Sequence, residues 1–322
     1  MALDPQMQHL LDAFGAQKLP PYEELTAEAF RAQADKRLPP GQSVALAQVR
    51  DHLIPGNDPD IKLRLYRPNA DGLIPALVFF HGGGFVLGDL DSHDNLCRVL
   101  SNRLNVLVVA VDYRRAPEAK FPAAVDDAWT AVKWVAEHAD ELAIAPSRLM
   151  VGGDSAGGNL AANVCLKARD NSGPAIAHQL LFYPVCDNDF SRNSYREMGC
   201  GYLVETDMMR WFWDQYLTAP EDAEKPYCCP LKATDLSNLP SATLLVGGYD
   251  PLKDEVLAYA ERLRLAGNSV CTLIYPGAIH GFMSFIGMLK LSDQALNETV
   301  DALQTYWLDT DQQETPVSMP TA

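Results

Sequence analysis

Ser155 lies in a stretch whose composition indicates nucleophilic chemistry. Residues 153–157 read Gly-Asp-Ser-Ala-Gly, between the apolar run RLMVGG and the helix-forming segment AGGNLAANVCLKA. A serine at a sharp strand-to-helix turn between small residues is typical of a nucleophile elbow. Such a turn strains the serine backbone, and larger flanking side chains would clash with the strand and the helix. The alternative is a small-residue turn whose serine only caps the helix, and the five-residue pattern alone does not decide between the two.

Three consecutive glycines follow the apolar run PALVFF, in the segment FFHGGGFVLGD. Such glycines are costly to order, and they are useful where backbone N–H groups must approach a ligand closely. We expect Gly83 and Gly84 to form an oxyanion hole together with Ala156 of the elbow, each donor stabilising a transition state by about 3 kcal/mol. The alternatives are a flexible turn or a weak phosphate loop. Neither G-x-G-x-x-G nor Gly-Lys-Ser/Thr occurs here, which disfavours a nucleotide site.

A serine nucleophile needs a base, and only two histidines, His178 and His280, follow Ser155 in the chain. Nucleophile elbows are followed first by an acid and then by the histidine. His178 enters an apolar strand, with no convincing acid between it and Ser155. His280 lies in the loop YPGAIHGF, where its side chain can reach over the carboxyl edge of the sheet. We therefore expect His280 to be the base, and we expect His81, beside the glycines, to brace their loop through hydrogen bonds.

The third residue must be an acid that orients the histidine and stabilises the imidazolium. Asp250 follows the strand SATLLVGGY, and Asp187 follows the strand HQLLFYPVC. We favour Asp250, because its strand and the strand that precedes His280 are neighbours in the chain and place their loops side by side. Asp187 remains the rival.

Three other acids are expected to have structural rather than catalytic roles. Asp154, inside the elbow, is expected to steady the turn. Asp254 and Glu255 begin a predicted helix, where negative charge favours the helix dipole.

The elements around these residues alternate between strand and helix. Continuous apolar runs predict strands that are buried on both faces, and the helical segments between them indicate an α/β fold with a mainly parallel central sheet. The interval 187–239 interrupts this series with the aromatic segment TDMMRWFWDQYL instead of a strand. We interpret this interval as an insertion above the sheet. Two N-terminal helices, predicted to begin after Asp4 and Thr26, are expected to pack with it.

Composition excludes several classes of partner. The formal net charge of −16 and the pI of about 4.7 disfavour binding to nucleic acid or to an anionic membrane surface. No secretion signal and no apolar run long enough for a membrane helix are recognisable. The seven cysteines show no CxxC pair or zinc-ligand spacing, so reduced thiols and a cytoplasmic location are expected.

Five motifs together resemble the hormone-sensitive-lipase-like carboxylesterases, bacterial esterase family IV, of the α/β-hydrolase fold. They are HGGGF (81–85), DYRRAPE (112–118), GDSAGG (153–158), DPLKDE (250–255) and HGF (280–282). The resemblance extends from about Val44 to the C-terminal helix. It implies a triad of Ser155, Asp250 and His280, an oxyanion hole of Gly83, Gly84 and Ala156, no metal or cofactor, and a helical cap. DYRRAPE is interpreted as structural rather than catalytic.

The resemblance also sets expectations for domains and for substrate contacts. The expected units are N-terminal helices contributing to the cap (1–43), the first part of the hydrolase core (44–186), the cap insertion (187–239), the second part of the core (240–310) and a polar tail (311–322). The segment TDMMRWFWDQYL itself, read as a helix, has almost no polar face. More than half of its apolar side chains are expected to form the helix core of the cap, and the remainder a compact apolar roof over the serine. The candidate substrate contacts are Leu203, Met209, Phe212 and Trp213.

The function expected from these residues is a serine carboxylesterase for short- to medium-chain esters. A small-molecule ester is the expected partner, and the oligomeric state, a homodimer included, is left open. One alternative is a non-catalytic small-molecule receptor on the same scaffold, which the presence of His280 disfavours. The other is hydrolysis of amides or lactones, which would use the same triad.

Overall fold

An eight-stranded sheet forms the centre of the protein. The computed structural model describes residues 2–15, 20–34 and 44–314. The strands are β1 (Gln48–Ile54), β2 (Ile61–Arg67), β3 (Ile74–Phe80), β4 (Leu107–Asp112), β5 (Ile144–Asp154), β6 (His178–Phe182), β7 (Ser241–Tyr249) and β8 (Val270–Ile279). Their order is β1-β2-β4-β3-β5-β6-β7-β8. β2 runs antiparallel to β1 and β4, and the other neighbouring pairs are parallel. The predicted α/β fold with a mainly parallel sheet is confirmed.

Nine α-helices surround the sheet within the described ranges. They are α1 (Pro5–Gly15), α2 (Ala27–Ala34), α3 (Asp94–Leu104), α4 (Ala123–Glu137), α5 (Ala156–Asp170), α6 (Asn193–Met198), α7 (Thr206–Tyr216), α8 (Lys253–Leu265) and α9 (Lys290–Glu314). The predicted starts of the first two helices are correct. The Asp4 carboxylate accepts a hydrogen bond from the N–H of Gln6 (2.8 Å), and the Thr26 hydroxyl accepts one from Ala29 (3.2 Å). Both contacts satisfy N–H groups that lack a partner within the helix.

Both faces of the central strands are covered, which explains their continuous apolar sequences. Val78 and Val151 belong to the same core as buried residues of α4, α5 and α8. Leu77 and Met150, one position earlier in each strand, belong to a second core with residues of α3 and α9. Alternate side chains of a strand point to opposite faces, so a strand with helices on both sides needs an apolar residue at every position.

Residues 187–239 form helices and loops above the carboxyl edge of the sheet, with no strand among them. α7 packs against α2, where the ring of Phe30 lies 5.6 Å from that of Trp211 and 5.8 Å from that of Phe212. α1 docks at the end of β8, because the N–H of Asp4 donates to the carbonyl of Gly277 at 3.0 Å. The two N-terminal helices therefore pack against different parts of the molecule.

The C-terminal helix is longer than expected. α9 continues to Glu314, so residues 311–314 are helical rather than part of a tail, and residues 315–322 lie outside the described ranges. Residues 35–43, which follow α2, also lie outside the described ranges. None of the helices that the structure describes combines the length and the apolar character needed to cross a membrane.

Candidate active site

Ser155 occupies a strained turn between β5 and α5. Its φ and ψ are 53° and −116°, a conformation that non-glycine residues rarely adopt. The turn is so tight that a Cβ on Gly157 would overlap the carbonyl oxygen of Phe80. The Ser155 side chain makes no capping hydrogen bond to α5, so the interpretation that it merely caps the helix is wrong. The strained backbone instead holds the Ser155 hydroxyl at the carboxyl edge of the sheet.

Three strand ends bring a serine, a histidine and an acid into one hydrogen-bonded line. Nε2 of His280, directly after β8, lies 2.9 Å from Oγ of Ser155. Nδ1 of the same ring lies 2.8 Å from Oδ2 of Asp250, directly after β7. Asp250 is fully buried, and its Oδ1 accepts a hydrogen bond from the N–H of Leu252 at 2.8 Å. A carboxylate fixed in this way requires the Nδ1–H tautomer of His280 and leaves Nε2 free to accept a proton from Ser155.

The rival acid and the rival histidine have other partners. Asp187 pairs with Arg192, with 2.6 Å between Oδ2 and Nη2. The ring nitrogens of His178 lie 2.7 Å from the hydroxyl of Ser241 and 3.0 Å from that of Thr243, inside the sheet. Burial lowers the pKa of His178 to about 3, so this histidine is neutral and structural.

The glycine loop lies beside the serine. Gly83 and Gly84 have φ values of +114° and +60°, which are accessible to glycine without strain. The carbonyl of Gly83 accepts hydrogen bonds from Val86 (3.1 Å) and Leu87 (2.7 Å), and these bonds close the loop on itself. Both glycines border the same cavity as Ser155 and His280, and Ala156, the first residue of α5, directly follows Ser155.

A cavity of about 240 Å³ opens over Ser155, and its wall is mostly apolar. Leu203, Met209 and Phe212 line it. Trp213 does not, because its ring packs 6.0 Å from the rings of Phe85 and Tyr216. Successive helical residues point about 100° apart, so the side chain after Phe212 leaves the cavity. The expected contact of Trp213 with substrate is therefore corrected.

Several cavity residues were not expected from the sequence. Phe14 and Phe30 reach the cavity from α1 and α2, and Phe285 reaches it from the short 3-10 helix after β8 (Phe282–Phe285). Each looks like an ordinary core residue on an amphipathic segment, which gives no signal that separates a cavity wall from a core. The sequence likewise gave no reason to consider Ser92 and His93, which also line the cavity.

His81 braces the glycine loop as expected, although most of the bracing comes through the backbone and through ring stacking. Its Nδ1 lies 2.9 Å from the carbonyl of Gly82, and its ring stacks on Tyr113 at 4.2 Å. The hydroxyl of Tyr113 donates to the carbonyl of His81 at 2.8 Å. Arg115 donates to the carbonyl of Gly88. These two contacts give the DYRRAPE segment a structural role under the loop.

Two acids differ from their expected roles. Asp154 does more than steady its own turn, because its Oδ1 accepts a hydrogen bond from the N–H of Gly82, 2.8 Å away on the glycine loop. Glu255 is fully buried rather than solvated at the start of α8. Its Oε1 accepts hydrogen bonds from the N–H groups of Cys186 (2.8 Å) and Asp187 (3.3 Å). Burial raises the pKa of Glu255 to about 8, so at neutral pH this side chain is largely a neutral acid.

The polar groups of the site suit covalent chemistry on a neutral substrate. Within the described ranges, no three His, Cys, Asp or Glu side chains are grouped so as to hold a metal ion. The groups that can react are the hydroxyl of Ser155 and the imidazole of His280, which face an apolar cavity. A serine activated by a histidine attacks carbonyl carbon, and backbone N–H groups nearby can stabilise the resulting oxyanion.

Comparisons with known proteins agree with this geometry. A family model described as the alpha/beta hydrolase fold matches residues 77–284, more than half of the chain. The carboxylic ester hydrolase LipN of Mycobacterium tuberculosis is 41% identical over 314 residues, which cover 94% of this chain and 83% of the relative. An ethyl acetate hydrolase of Pseudomonas putida is 41% identical over 252 residues, which cover 76% of this chain and 79% of the relative.

A solved structure supports the same relationship in three dimensions. The hyperthermophilic esterase of the archaeon Pyrobaculum calidifontis superposes with a TM-score of 0.88 at 38% sequence identity. The match covers 95% of this chain and 99% of that chain. The similarity therefore extends over the sheet, the surrounding helices and the segment above the sheet.

Proposed function

Because this chain belongs to the hormone-sensitive-lipase-like carboxylesterases of the α/β-hydrolase fold and is a carboxylic ester hydrolase, we propose that Ser155, His280 and Asp250 are its catalytic triad. The observation that carries this proposal is the line of two hydrogen bonds from Ser155 through His280 to Asp250, at 2.9 and 2.8 Å. The strained backbone of Ser155 supports it, since the surrounding structure must impose that conformation.

The proposed reaction proceeds in two halves. Oγ of Ser155 attacks the ester carbonyl carbon while Nε2 of His280 takes its proton, which gives a tetrahedral oxyanion. The imidazolium then protonates the alkoxy oxygen, the C–O bond breaks and the alcohol leaves, so that the acyl group remains on Ser155. Water attacks the acyl-enzyme by the same route, with His280 again accepting and then returning a proton. Asp250 accepts the hydrogen bond from Nδ1 and holds the ring in position throughout.

Backbone N–H groups of Gly83, Gly84 and Ala156 are the proposed oxyanion hole. The two glycines border the cavity beside Ser155, and their positive φ values differ from those of an ordinary loop. The N–H of Ala156 lies at the N-terminus of α5, where the helix dipole favours negative charge. Donors of this kind act on charge that develops only in the transition state, so they raise kcat more than they lower KM.

Short to medium acyl esters are the proposed substrates. The cavity of about 240 Å³ is walled by Leu203, Met209 and Phe212, which we propose as substrate contacts. Each buried methylene adds about 0.8 kcal/mol of binding until the cavity is full, and further carbons must then displace the wall or enter water. The 41% identical relative from P. putida is an ethyl acetate hydrolase, which supports a small substrate.

The test of substrate class is kcat/KM over p-nitrophenyl esters of increasing acyl length, with amides and lactones as controls. We expect an optimum at short or medium length, a decline for long chains and much slower amide hydrolysis. Measurements below and above the solubility limit should show no jump at emulsion formation. A steady rise through long-chain esters, or faster turnover of the amides or lactones, would contradict the proposal.

The test of the triad is labelling with a serine-directed phosphonate. We expect the label on Ser155 alone, and we expect Ser155→Ala to lose at least about 10⁴-fold in kcat while remaining folded. Ser191→Ala is a matched control, because Ser191 is exposed and hydrogen-bonded to Asp189. If Ser155→Ala retains the activity, or if the protein binds esters without turnover, the chain is a receptor or uses another nucleophile.

A further inference from the structure

A second imidazole–carboxylate pair lies beside Ser155 and has no part in the proposed triad. Nε2 of His93 is 3.1 Å from Oδ1 of Asp154, the residue that precedes the serine. The same carboxylate oxygen accepts a hydrogen bond from the N–H of Gly82 at 2.8 Å. Asp154 is buried, His93 is mostly buried, and both border the cavity. The pair therefore connects the elbow, the glycine loop and the start of α3.

The hydrogen bonds around His93 indicate which of its ring nitrogens carry a hydrogen. Ser92 Oγ lies 2.9 Å from the carbonyl oxygen of Asp89, which has no hydrogen of its own, so the Ser92 hydroxyl donates there. Oγ also lies 2.9 Å from Nδ1 of His93, and while the hydroxyl donates to Asp89 it is positioned to accept a hydrogen from Nδ1. Nε2 faces a carboxylate oxygen and must donate as well. In this arrangement each ring nitrogen of His93 donates a hydrogen bond, as in an imidazolium.

One contact could suggest instead that Nε2 of His93 accepts a hydrogen bond and carries no hydrogen. The N–H of Gly82 lies 3.3 Å from Nε2 of His93, as if it donated to the ring. It lies only 2.8 Å from Oδ1 of Asp154, which is both the nearer and the charged acceptor. A hydrogen bond to a carboxylate is shorter and stronger than one to a neutral nitrogen, so the N–H of Gly82 is assigned to Asp154.

The electrostatics of the neighbouring groups agree with an ion pair. Burial lowers the pKa of His93, but the Asp154 carboxylate, together with Asp89, more than offsets this, so the pKa lies above its ordinary value. Burial likewise raises the pKa of Asp154, and His93 reverses the shift. His81, whose ring lies 5.5 Å from that of His93, has its pKa lowered to about 3, first by burial and then by the charge of His93. The pKa shifts of the two neighbouring histidines are therefore opposite in direction, with positive charge favoured on His93 and disfavoured on His81.

The pair lies between the glycine loop and the serine and contacts the loop backbone. Gly82 comes directly before the two glycines whose N–H groups are proposed to hold the oxyanion. A Cβ on Gly82 would overlap Oδ2 of Asp154, which shows how closely the loop backbone is held against this carboxylate. Because Asp154 is covalently adjacent to Ser155, fixing Gly82 to Asp154 also fixes the distance between donors and nucleophile. Catalytic groups must be held within about 0.5 Å of their productive positions.

We propose that His93 is a positioning residue for the oxyanion hole, acting as an imidazolium that orients the Asp154 carboxylate and thereby holds Gly82 and the two glycines after it against Ser155. This inference rests on the proposed function of the triad and the glycine loop. It predicts that His93 contributes to transition-state stabilisation rather than to substrate binding, although its side chain borders the cavity.

The experiment compares His93→Gln and His93→Ala with His178→Gln in the full-length chain. Glutamine can donate one hydrogen bond to Asp154 but carries no charge. His178→Gln is the matched control, because it removes a buried histidine that bonds Ser241 and Thr243 inside the sheet. We expect both His93 variants to lose roughly 10- to 100-fold in kcat, with KM within about threefold, since a misplacement of about 1 Å can cost about 100-fold in rate. His178→Gln should retain the wild-type kcat per folded molecule.

Two inhibitors provide a readout that a purely structural role would not change. A trifluoromethyl ketone forms a hemiketal with Ser155 whose oxyanion occupies the hole, whereas the unfluorinated ketone binds as a ground-state analogue. In the His93 variants, the inhibition constant of the trifluoromethyl ketone should rise by the same factor as kcat falls. The constant of the unfluorinated ketone should stay unchanged.

A double variant tests whether the pair acts as a unit. Asp154→Asn should lower kcat in the same way, and the combination with His93→Gln should lose less than the product of the two single losses. Wild-type kcat in His93→Gln, an equal loss for both ketones, or fully additive effects would overturn the proposal. The failure of the triad itself gives a different result, because Ser155→Ala would then remain active whatever the His93 variants do.

Discussion

The ring of Phe212 lies directly against the backbone of Gly84, so closely that a Cβ on Gly84 would overlap its ring atoms. This contact joins α7, above the sheet, to the glycine loop beside Ser155. Position 84 therefore requires glycine for two reasons. Its φ of +60° favours glycine, and the aromatic ring occupies the space that a Cβ would fill.

Gly84→Ala should consequently lower kcat by at least about 100-fold, the loss typical of removing one oxyanion-hole donor. The methyl group must displace either the loop or Phe212. Gly72→Ala is the matched control, because Gly72 has a φ of +76° but no heavy atom within 4 Å of an added Cβ. Both variants carry the backbone strain of about 1–2 kcal/mol, and only Gly84→Ala should lose activity in steady-state kinetics. Equal kcat in the two variants would contradict a role for Gly84 in the site.

The choice between the two candidate acids can be tested by paired substitutions. Asp250→Asn should lower kcat by roughly 10⁴-fold, because an amide favours the wrong tautomer of His280. Asp187→Asn should stay within about tenfold of wild type, since it removes an ion pair with Arg192 rather than a partner of His280. The measurement is kcat at constant pH, normalised by the concentration of folded protein. The reverse ranking would assign the acid to the end of β6.

Adjacent positions on α7 should separate selectivity from stability. Phe212→Ala enlarges the cavity and should raise the ratio of kcat/KM for long over short acyl esters by about tenfold, which corresponds to one or two additional methylenes at about 0.8 kcal/mol each. Trp213→Ala should destabilise the fold by about 3–5 kcal/mol without changing this ratio, because its ring packs on Phe85 and Tyr216. The ratio does not depend on the folded fraction, so a shift in Trp213→Ala would contradict the assignment.

Ionisation of Glu255 should make the free energy of unfolding depend on pH between 4.5 and about 8. The folded protein holds this proton until about pH 8, whereas an unfolded chain releases it near the ordinary value of 4.5. Stability therefore falls as pH rises between these values and levels off above about 8, with a slope of at most about 1.4 kcal/mol per pH unit. Glu255→Gln cannot ionise, so its denaturation midpoint relative to wild type should rise from pH 5 to pH 8.

The exposed Glu197→Gln variant is the control for this experiment, since Glu197 is exposed on α6. Its midpoint should follow wild type at every pH. If the difference between Glu255→Gln and wild type stays flat or falls with increasing pH, then Glu255 is ionised in the folded protein and another group neutralises its charge.

The elements that could be predicted from the sequence are those with a strong local signal. Continuous apolar runs predicted the strands, because a strand covered on both faces has no polar position. The sequence Gly-Asp-Ser-Ala-Gly predicted the turn at Ser155, because few structures other than a tight turn favour glycines on both sides of a serine. His280 followed from chain order and from its position after a strand. Asp250 was favoured over Asp187 by strand adjacency, and the structure places its carboxylate on His280.

The remaining residues depend on contacts that are distant in sequence. Phe212 and Trp213 lie on a helix that is buried on several sides, so periodicity could not say which of them faces the cavity. His93 begins a helix and resembles a surface residue, and only the fold brings it to Asp154. Glu255 fits the usual acidic first turn of a helix, and nothing local shows that residues 186 and 187 cover it.

The cavity wall is built from segments that leave the ribosome at very different times. Phe14 lies on α1, which is synthesised before every strand of the sheet, yet Asp4 directly before α1 bonds to Gly277 at the end of β8, and Phe14 packs 6.1 Å from Phe285. A nascent chain that already contains Ser155 still lacks the strand on which α1 docks, and it also lacks both Asp250 and His280. The serine is thus made well before the residues that can activate it, and the pocket closes only when α1 meets β8 and the segment after it.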